Sequence, residues 1–92
     1  MSRRRMQVIY SGHVQGVGFR YTVKSLIPGY EVAGGIRNLA DGRVELVAEG
    51  TQEELEAFRQ AIRESGLSGL IDNEQIIWGD ARGGLRGFEI QG

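Results

Sequence analysis

The sequence predicts an α+β domain, a two-layer sandwich in which two helices cover one face of an antiparallel sheet. Segments whose apolar residues alternate, as in half-buried strands, are interrupted by two segments whose apolar residues recur at helical spacing. Their order is β-α-β-β-α-β with one added C-terminal strand, which is the split-βαβ, ferredoxin-like pattern. The 92 residues are enough for one domain with a small core.

The first strand is predicted over residues 6–11, because Val8 and Tyr10 place apolar side chains on one face. A helix is predicted over residues 21–27, where apolar residues form a stripe that can pack on a sheet. Pro28 interrupts this helix, since proline in a helix interior costs ~3 kcal/mol and usually ends the helix before it. We therefore expect the first helix to be short or kinked.

The second and third strands are predicted over residues 32–38 and 43–49, with a turn at Asp41-Gly42 between them. In the third strand, polar and apolar positions alternate, and the apolar face carries Val44, Leu46 and Ala48. The pair Gly34-Gly35 weakens the second strand, because glycine has no side chain to pack.

The second helix begins at a capping box, in which Glu54 follows Thr51 at the required spacing. Its core-facing residues recur at helical spacing and are Leu55, Phe58 and Ile62. Gly66 is the expected C-terminal cap. We expect this helix to pack against the core, and we assign no chemical role to it.

Two more strands are predicted over residues 73–78 and 87–90, with an exposed polar segment between them. Trp78 and Phe88 could each stack a nucleic-acid base. On alternating strands such residues more often pack in the core or at an edge, and the aromatic motif of an RNA-recognition sheet is not present.

Composition excludes several classes of function. Eleven basic and twelve acidic residues give a net charge of −1, which removes the whole-surface electrostatic argument for nucleic acid. The absence of cysteine excludes a disulfide framework and thiolate chemistry, and the single histidine excludes a multi-histidine metal site. Because the sequence has neither a long apolar segment nor a signal peptide, we expect a cytoplasmic protein with no membrane partner. We also expect it to be a monomer.

Residues 1–5 are predicted to be a flexible N-terminal tail, and residues 6–92 to form the single domain. The tail contains the only cationic run, Arg3-Arg4-Arg5. Such a run can touch nucleic acid or an anionic surface, but a frayed and solvated terminus explains it more simply.

The segment from Gly12 to Arg20 is the candidate site, since it links the first strand to the first helix and carries three glycines. Glycine allows positive φ and lets a ligand approach the backbone, while the helix start adds positive partial charge. Arg20 can grip two oxygens of one anion. These features predict a cradle for a tetrahedral oxyanion, most simply a phosphoryl group. The Walker and dinucleotide motifs are both missing, and His13, a lone histidine in a turn, gives weak support for proton transfer.

The nonamer Gly-His-Val-Gln-Gly-Val-Gly-Phe-Arg, residues 12–20, resembles a signature of the acylphosphatase family. Residues 34–45 resemble the second signature of that family, which places a basic residue and an asparagine before Gly-x-Val, and Gly50 falls where this pattern closes. The resemblance covers about residues 6–90. Two departures stand out, because Pro28 interrupts a helix that is continuous in the family and Gly35 replaces an aromatic residue.

The resemblance implies a ferredoxin-like fold and a hydrolase that cleaves acyl phosphates to a carboxylate and inorganic phosphate. Arg20 is implied to bind the phosphoryl oxygens and Asn38 to hold the attacking water, without metal or organic cofactor. The backbone N–H groups expected to complete the cradle belong to Gln15, Gly16, Val17, Gly18 and Phe19. Phosphate or sulfate would bind there as product-like ligands. Because the first and second strands run parallel in this fold, Arg20 and Asn38 are expected to meet at one sheet edge.

Two alternatives stay open at this point. The first is a non-catalytic ferredoxin-like module that binds a small anion, for instance as a regulatory piece of an assembly, and the departures at Pro28 and Gly35 keep it open. The second is a nucleic-acid-binding domain of the same fold, which predicts a salt-dependent affinity for oligonucleotides.

Overall fold

The computed structural model describes residues 2–91. Its strands are β1 (Arg3–Gly12), β2 (Ala33–Asn38), β3 (Val44–Thr51), β4 (Ile71–Asp80) and β5 (Phe88–Gln91). Its helices are α1 (Phe19–Leu26) and α2 (Gln52–Ile62). Short helical turns over Ile27–Gly29, Arg63–Leu67 and Ser68–Leu70 join these elements.

The five strands form one sheet in the order β4-β1-β3-β2-β5. β3 pairs antiparallel with both β1 and β2, so β1 and β2 point the same way, and β4 pairs antiparallel with β1. β5 pairs parallel with β2, which makes the sheet mixed where an antiparallel sheet was predicted. The parallel pair arises because β4 runs opposite to β2, and the single reversal after β4 sends β5 along β2. The predicted α+β, ferredoxin-like fold is confirmed.

The core lies between the sheet and the two helices, because one face of each strand is apolar. Alternation places Val8 and Tyr10 of β1 on this face, as predicted. The fully buried residues from the other central strands are Ile36, Val44, Leu46 and Ala48. The helices cover them with Phe19, Val23, Leu55, Phe58 and Ile62. The predicted capping box starts α2, since the Thr51 hydroxyl accepts a hydrogen bond from the Glu54 N–H at 3.3 Å.

The N-terminal tail predicted over residues 1–5 is wrong for Arg3, Arg4 and Arg5, which belong to β1 and pair with β3. Arg4 donates to the Gly79 carbonyl at 3.2 Å, and its guanidinium lies 5.7 Å from the Trp78 ring centroid. The strand begins this early because β3 offers a backbone partner from Arg3 onward and β4 from Arg4 onward. Met1 and Gly92 lie outside the described residues.

The two sequence departures have local structural consequences. α1 ends at Leu26 and a tight turn containing Pro28 follows it, so the predicted short helix is confirmed. β2 forms despite its glycines. Gly34 is required in this strand, because a Cβ there would collide with the Val47 carbonyl. Gly35 leaves open a groove of about 440 Å³ on the face of the sheet away from the helices, which Arg37, Arg86 and Glu89 also line.

The loop after β4 is fastened to the open face of the sheet by Glu49, a charged residue that is only 1% exposed. Its carboxylate accepts hydrogen bonds from the Arg82 N–H at 2.8 Å and the Gly83 N–H at 3.1 Å, and it pairs with Arg5 at 3.5 Å. Burial alone would raise the pKa of Glu49, but these donors together lower it below the ordinary value of 4.5. Glu49 is therefore held as a carboxylate in the folded state.

We expect Glu49→Gln to lower the free energy of unfolding by ~1–3 kcal/mol at neutral pH, because the charged acceptor of two backbone hydrogen bonds is lost. Since the folded pKa is depressed, this stabilisation is present above pH 4.5 and disappears as the pH falls through the lower folded value. Urea unfolding across this range should show the two proteins converging in acid. Glu56→Gln, at an exposed position on α2, is the control and should match the unaltered protein. Equal stability of Glu49→Gln at neutral pH would contradict this role.

Candidate active site

The predicted cradle leaves the C-terminal end of β1 and runs into the start of α1. Gly16 and Gly18 have φ of +75° and +78°, and Gly18 is the N-cap of α1 without a side-chain cap. A side chain at either position would strain the backbone, because L-residues rarely adopt positive φ. The two glycines therefore allow the chain to turn tightly at the positive end of α1.

The backbone N–H groups of this turn are free to bind a ligand. In the part of the chain that the structure describes, residues 15–20 have no backbone hydrogen bond from their N–H groups to a protein acceptor. Gly16, Val17 and Gly18 are exposed. Unbonded donors at a helix start are the usual elements of a phosphate-binding turn. The turn can thus bind an oxyanion with several amides at once.

Two buried side chains anchor the ends of this exposed turn. Val14 and Phe19 are each 1% exposed and belong to the core. The Phe19 ring packs against Tyr10 with centroids 5.2 Å apart. Phe19 was predicted as a cradle residue through its backbone, and its side chain has this second role of fixing the turn to the sheet.

The side chain of Gln15 connects the turn to the β2–β3 hairpin. Its Nε2 donates to the Leu39 carbonyl at 2.8 Å and to the Arg43 carbonyl at 2.9 Å. The hairpin is itself braced, because the Leu39 N–H donates to the Arg43 carbonyl and Arg43 pairs with Asp41 at 2.7 Å. Sequence reasoning missed this role of Gln15, since nothing in the local pattern shows which carbonyls its amide would reach.

Arg20 is the second residue of α1 and is half-buried. Its Nη1 donates to the Gln91 carbonyl at 3.0 Å, at the end of β5. Gln91 is the register partner of Arg37, the residue before Asn38. The guanidinium therefore lies at the edge of the sheet where β2 and β5 both end.

Asn38 is the last residue of β2 and is half-buried. Its Oδ1 is fully buried and has no hydrogen-bond partner among the described residues. A buried carbonyl oxygen without a donor costs ~1–3 kcal/mol. Leu39, the next residue, is held by Gln15 of the turn. The structure thus brings the turn, Arg20 and Asn38 to the same edge of the sheet.

Two other titratable side chains, those of His13 and Tyr10, follow or belong to the C-terminal end of β1. The backbone N–H of His13 donates to the Leu70 carbonyl at 2.9 Å. The exposed His13 ring makes no hydrogen bond or ion pair among the described residues. Burial, with the charge of Glu74, raises the pKa of Tyr10 far above its ordinary value, so the hydroxyl stays protonated. Within residues 2–91, no group of three or more His, Cys, Asp or Glu side chains is placed to hold a metal ion, and no helix is long and apolar enough to cross a membrane.

Comparison with known proteins now identifies the family. The family model described as Acylphosphatase matches residues 6–90. The chain belongs to the acylphosphatase family. Members of this family are hydrolases that act on acyl phosphates.

The resemblance extends over nearly the whole chain. An acylphosphatase from Thermobifida fusca is 37% identical over 97% of this chain and 98% of its own length. One from Bacillus velezensis is 40% identical over 90% of this chain and 92% of its own length. The crystal structure of acylphosphatase from Bacillus subtilis superimposes with a TM-score of 0.86 at 32% identity, covering 96% of this chain and 98% of that one.

We expect Gln15→Ala to lower the free energy of unfolding by ~1–2 kcal/mol, because two hydrogen bonds between the turn and the hairpin are lost. Backbone amides at residues 39–43 should also exchange faster with deuterium, since the hairpin loses its tie to the turn. Urea unfolding and amide exchange measure the two effects. Gln75→Ala, at an exposed position on β4, is the matched control. Unchanged exchange at residues 39–43 would argue against the bracing role.

Proposed function

We propose that this chain hydrolyses acyl phosphates at the edge where the turn, Arg20 and Asn38 meet. The observation that carries the proposal is the set of backbone N–H groups in the exposed turn that have no protein acceptor among residues 2–91, at the end of the sheet where Arg20 and Asn38 also lie. These donors suit a phosphoryl group, and the side-chain amide of Asn38 is suited to hold a water molecule. Membership of the acylphosphatase family supports the substrate class.

Binding is assigned to the turn and to Arg20. The N–H groups of residues 15–19 would bind the phosphoryl oxygens, and the guanidinium would bind two of them as a fork. For this, Arg20 exchanges its bond to the Gln91 carbonyl for bonds to the anion. The same groups stabilise the charge that spreads over the phosphoryl oxygens in the transition state.

Asn38 is assigned to the attacking water. Its side-chain amide would hydrogen-bond this water and orient it in line with the bond from phosphorus to the acyl oxygen. The water oxygen bonds to phosphorus as that bond breaks, and the carboxylate leaves with the electron pair. Because an asparagine amide cannot accept a proton at neutral pH, the water proton passes to a phosphoryl oxygen of the substrate.

The reaction needs little from acid–base side chains, because a carboxylate is a good leaving group. Every assigned group belongs to one chain, and none requires a metal or an organic cofactor. We therefore propose that the protein is active as a monomer, and we place it in the cytoplasm. Inorganic phosphate, the product, would compete with the substrate for the turn, and sulfate would mimic it. A non-catalytic anion-binding module, the alternative interpretation, predicts phosphate binding without turnover.

We expect Arg20→Ala to lower kcat/KM for benzoyl phosphate by more than ~10³-fold, because both anion binding and transition-state stabilisation are lost. Arg20→Lys should recover only part of the activity, since the ammonium keeps the charge but not the planar fork. The measurement is steady-state hydrolysis without added metal, with Arg86→Ala, an exposed arginine, as the control. If the pure unaltered protein bound phosphate but turned over no benzoyl phosphate, the module interpretation would replace the enzyme.

We expect Asn38→Ala to lower kcat by about 10²-fold with little change in KM, because the water is misplaced while the phosphoryl group is still bound. Its free energy of unfolding should stay equal or rise, since the substitution removes a buried acceptor that has no partner. Kinetics and urea unfolding on the same preparation test both parts. Asn73→Ala, at an exposed position on β4, should change neither quantity. Full turnover by Asn38→Ala would exclude the water-positioning role.

A further inference from the structure

Four large apolar side chains are exposed in the described part of the chain, and two of them adjoin the candidate site. Val17 in the turn is 47% exposed and Tyr21 in the first turn of α1 is 70% exposed. The other two, Ile77 on β4 and Leu85 in the loop after it, belong to different parts of the molecule. A single exposed apolar residue is ordinary, but two of them beside an anion site need an explanation.

The geometry of α1 places Tyr21 on the solvent side of the turn. Phe19 and Val23 face the core, and a step of two residues along a helix turns the side chain by about 200°. Tyr21 therefore points away from the sheet. Side chains on a helix also lean toward its N-terminus, which is the end of α1 that the turn containing Val17 enters.

The core does not account for the exposed ring of Tyr21. Among the described residues, Tyr21 has no side-chain hydrogen bond and no aromatic partner, and it is not part of the apolar core. The ring instead exposes apolar surface that a ligand bound in the turn can contact. Val17 adds a second apolar group between the two positive-φ glycines.

We infer that Val17 and Tyr21 form an apolar lip that binds the acyl group of the substrate, and that the preferred substrates are acyl phosphates with aromatic or bulky apolar acyl groups. The inference rests on the proposed function. Because the turn is exposed at Gly16, Val17 and Gly18, the acyl group of a substrate bound there can extend toward solvent. The lip is the apolar surface next to that exit, and contact with it removes apolar area of both partners from water.

Tyr21→Ser tests the lip with two substrates of different acyl size. KM for benzoyl phosphate should rise about fivefold, because a ring contact of a few tens of Å² is lost, whereas KM for acetyl phosphate should stay within about twofold. Tyr21→Phe keeps the apolar ring and should behave like the unaltered protein with both substrates. Ile77→Ser is the matched control, since Ile77 is 46% exposed on a different element. Inhibition by inorganic phosphate should be the same in all four proteins.

Two results would overturn the inference in different ways. An equal change in KM for both substrates in Tyr21→Ser, or none for either, would remove the lip and leave the proposed function intact. No turnover of either substrate by the unaltered protein would overturn the proposed function and the lip with it. A rise confined to benzoyl phosphate in Tyr21→Ser, absent in Tyr21→Phe and Ile77→Ser, would establish the lip.

Discussion

The position of β3 between β1 and β2 is the constraint on which the candidate site depends. Because β3 pairs antiparallel with both neighbours, β1 and β2 run in the same direction and end at one edge of the sheet. The turn leaves β1 there, and Asn38 ends β2 there. No local pairing within either segment could bring Arg20 and Asn38 together, since each is fixed to a different strand end or helix start. The site is therefore a consequence of topology.

The site leaves backbone donors of the turn available for a ligand, and the buried oxygen of Asn38 lowers the stability of the fold. Among residues 2–91, the N–H groups from residue 15 to residue 20 find no protein acceptor, and Asn38 has a buried oxygen without a partner. A buried oxygen without a partner is unfavourable in a domain of this size, whose total stability is small. Buried Val14 and Phe19 and the two hydrogen bonds of Gln15 offset part of this cost. The supporting contacts surround the turn, while its centre stays open for a ligand.

The arrangement suits a reaction in which positioning and charge stabilisation supply most of the acceleration. A guanidinium and peptide amides are permanent donors, so their function does not depend on a proton balance near neutral pH. The oriented groups need no reorganisation when the transition state forms, which is the main advantage of electrostatic preorganisation. The apolar residues beside the turn add a means of distinguishing acyl groups, which differ in apolar surface while sharing the same phosphoryl group.

Local sequence patterns determined most of the architecture. Alternation identified the inward face of the central strands, Pro28 predicted the early end of α1, and Thr51 with Glu54 marked the start of α2. These features depend on residues close together in the chain, so periodicity and backbone chemistry are sufficient to predict them. The two signature segments likewise indicated the acylphosphatase family, which the comparison of the whole chain showed.

Tertiary structure decided what depends on neighbours distant in sequence. The cationic run Arg3–Arg5 alone predicts a frayed tail. It belongs to β1 because β3 and β4 offer backbone hydrogen-bond partners alongside it. β5 runs parallel to β2 because the chain crosses the open face after β4, and the amide of Gln15 finds its carbonyls on another hairpin. That the Asn38 oxygen is buried without a partner among residues 2–91 is also visible only in the folded chain. The sequence determined which residues could form strands, helices and an anion-binding turn, whereas packing decided where the strands end and which polar atoms remain unpaired.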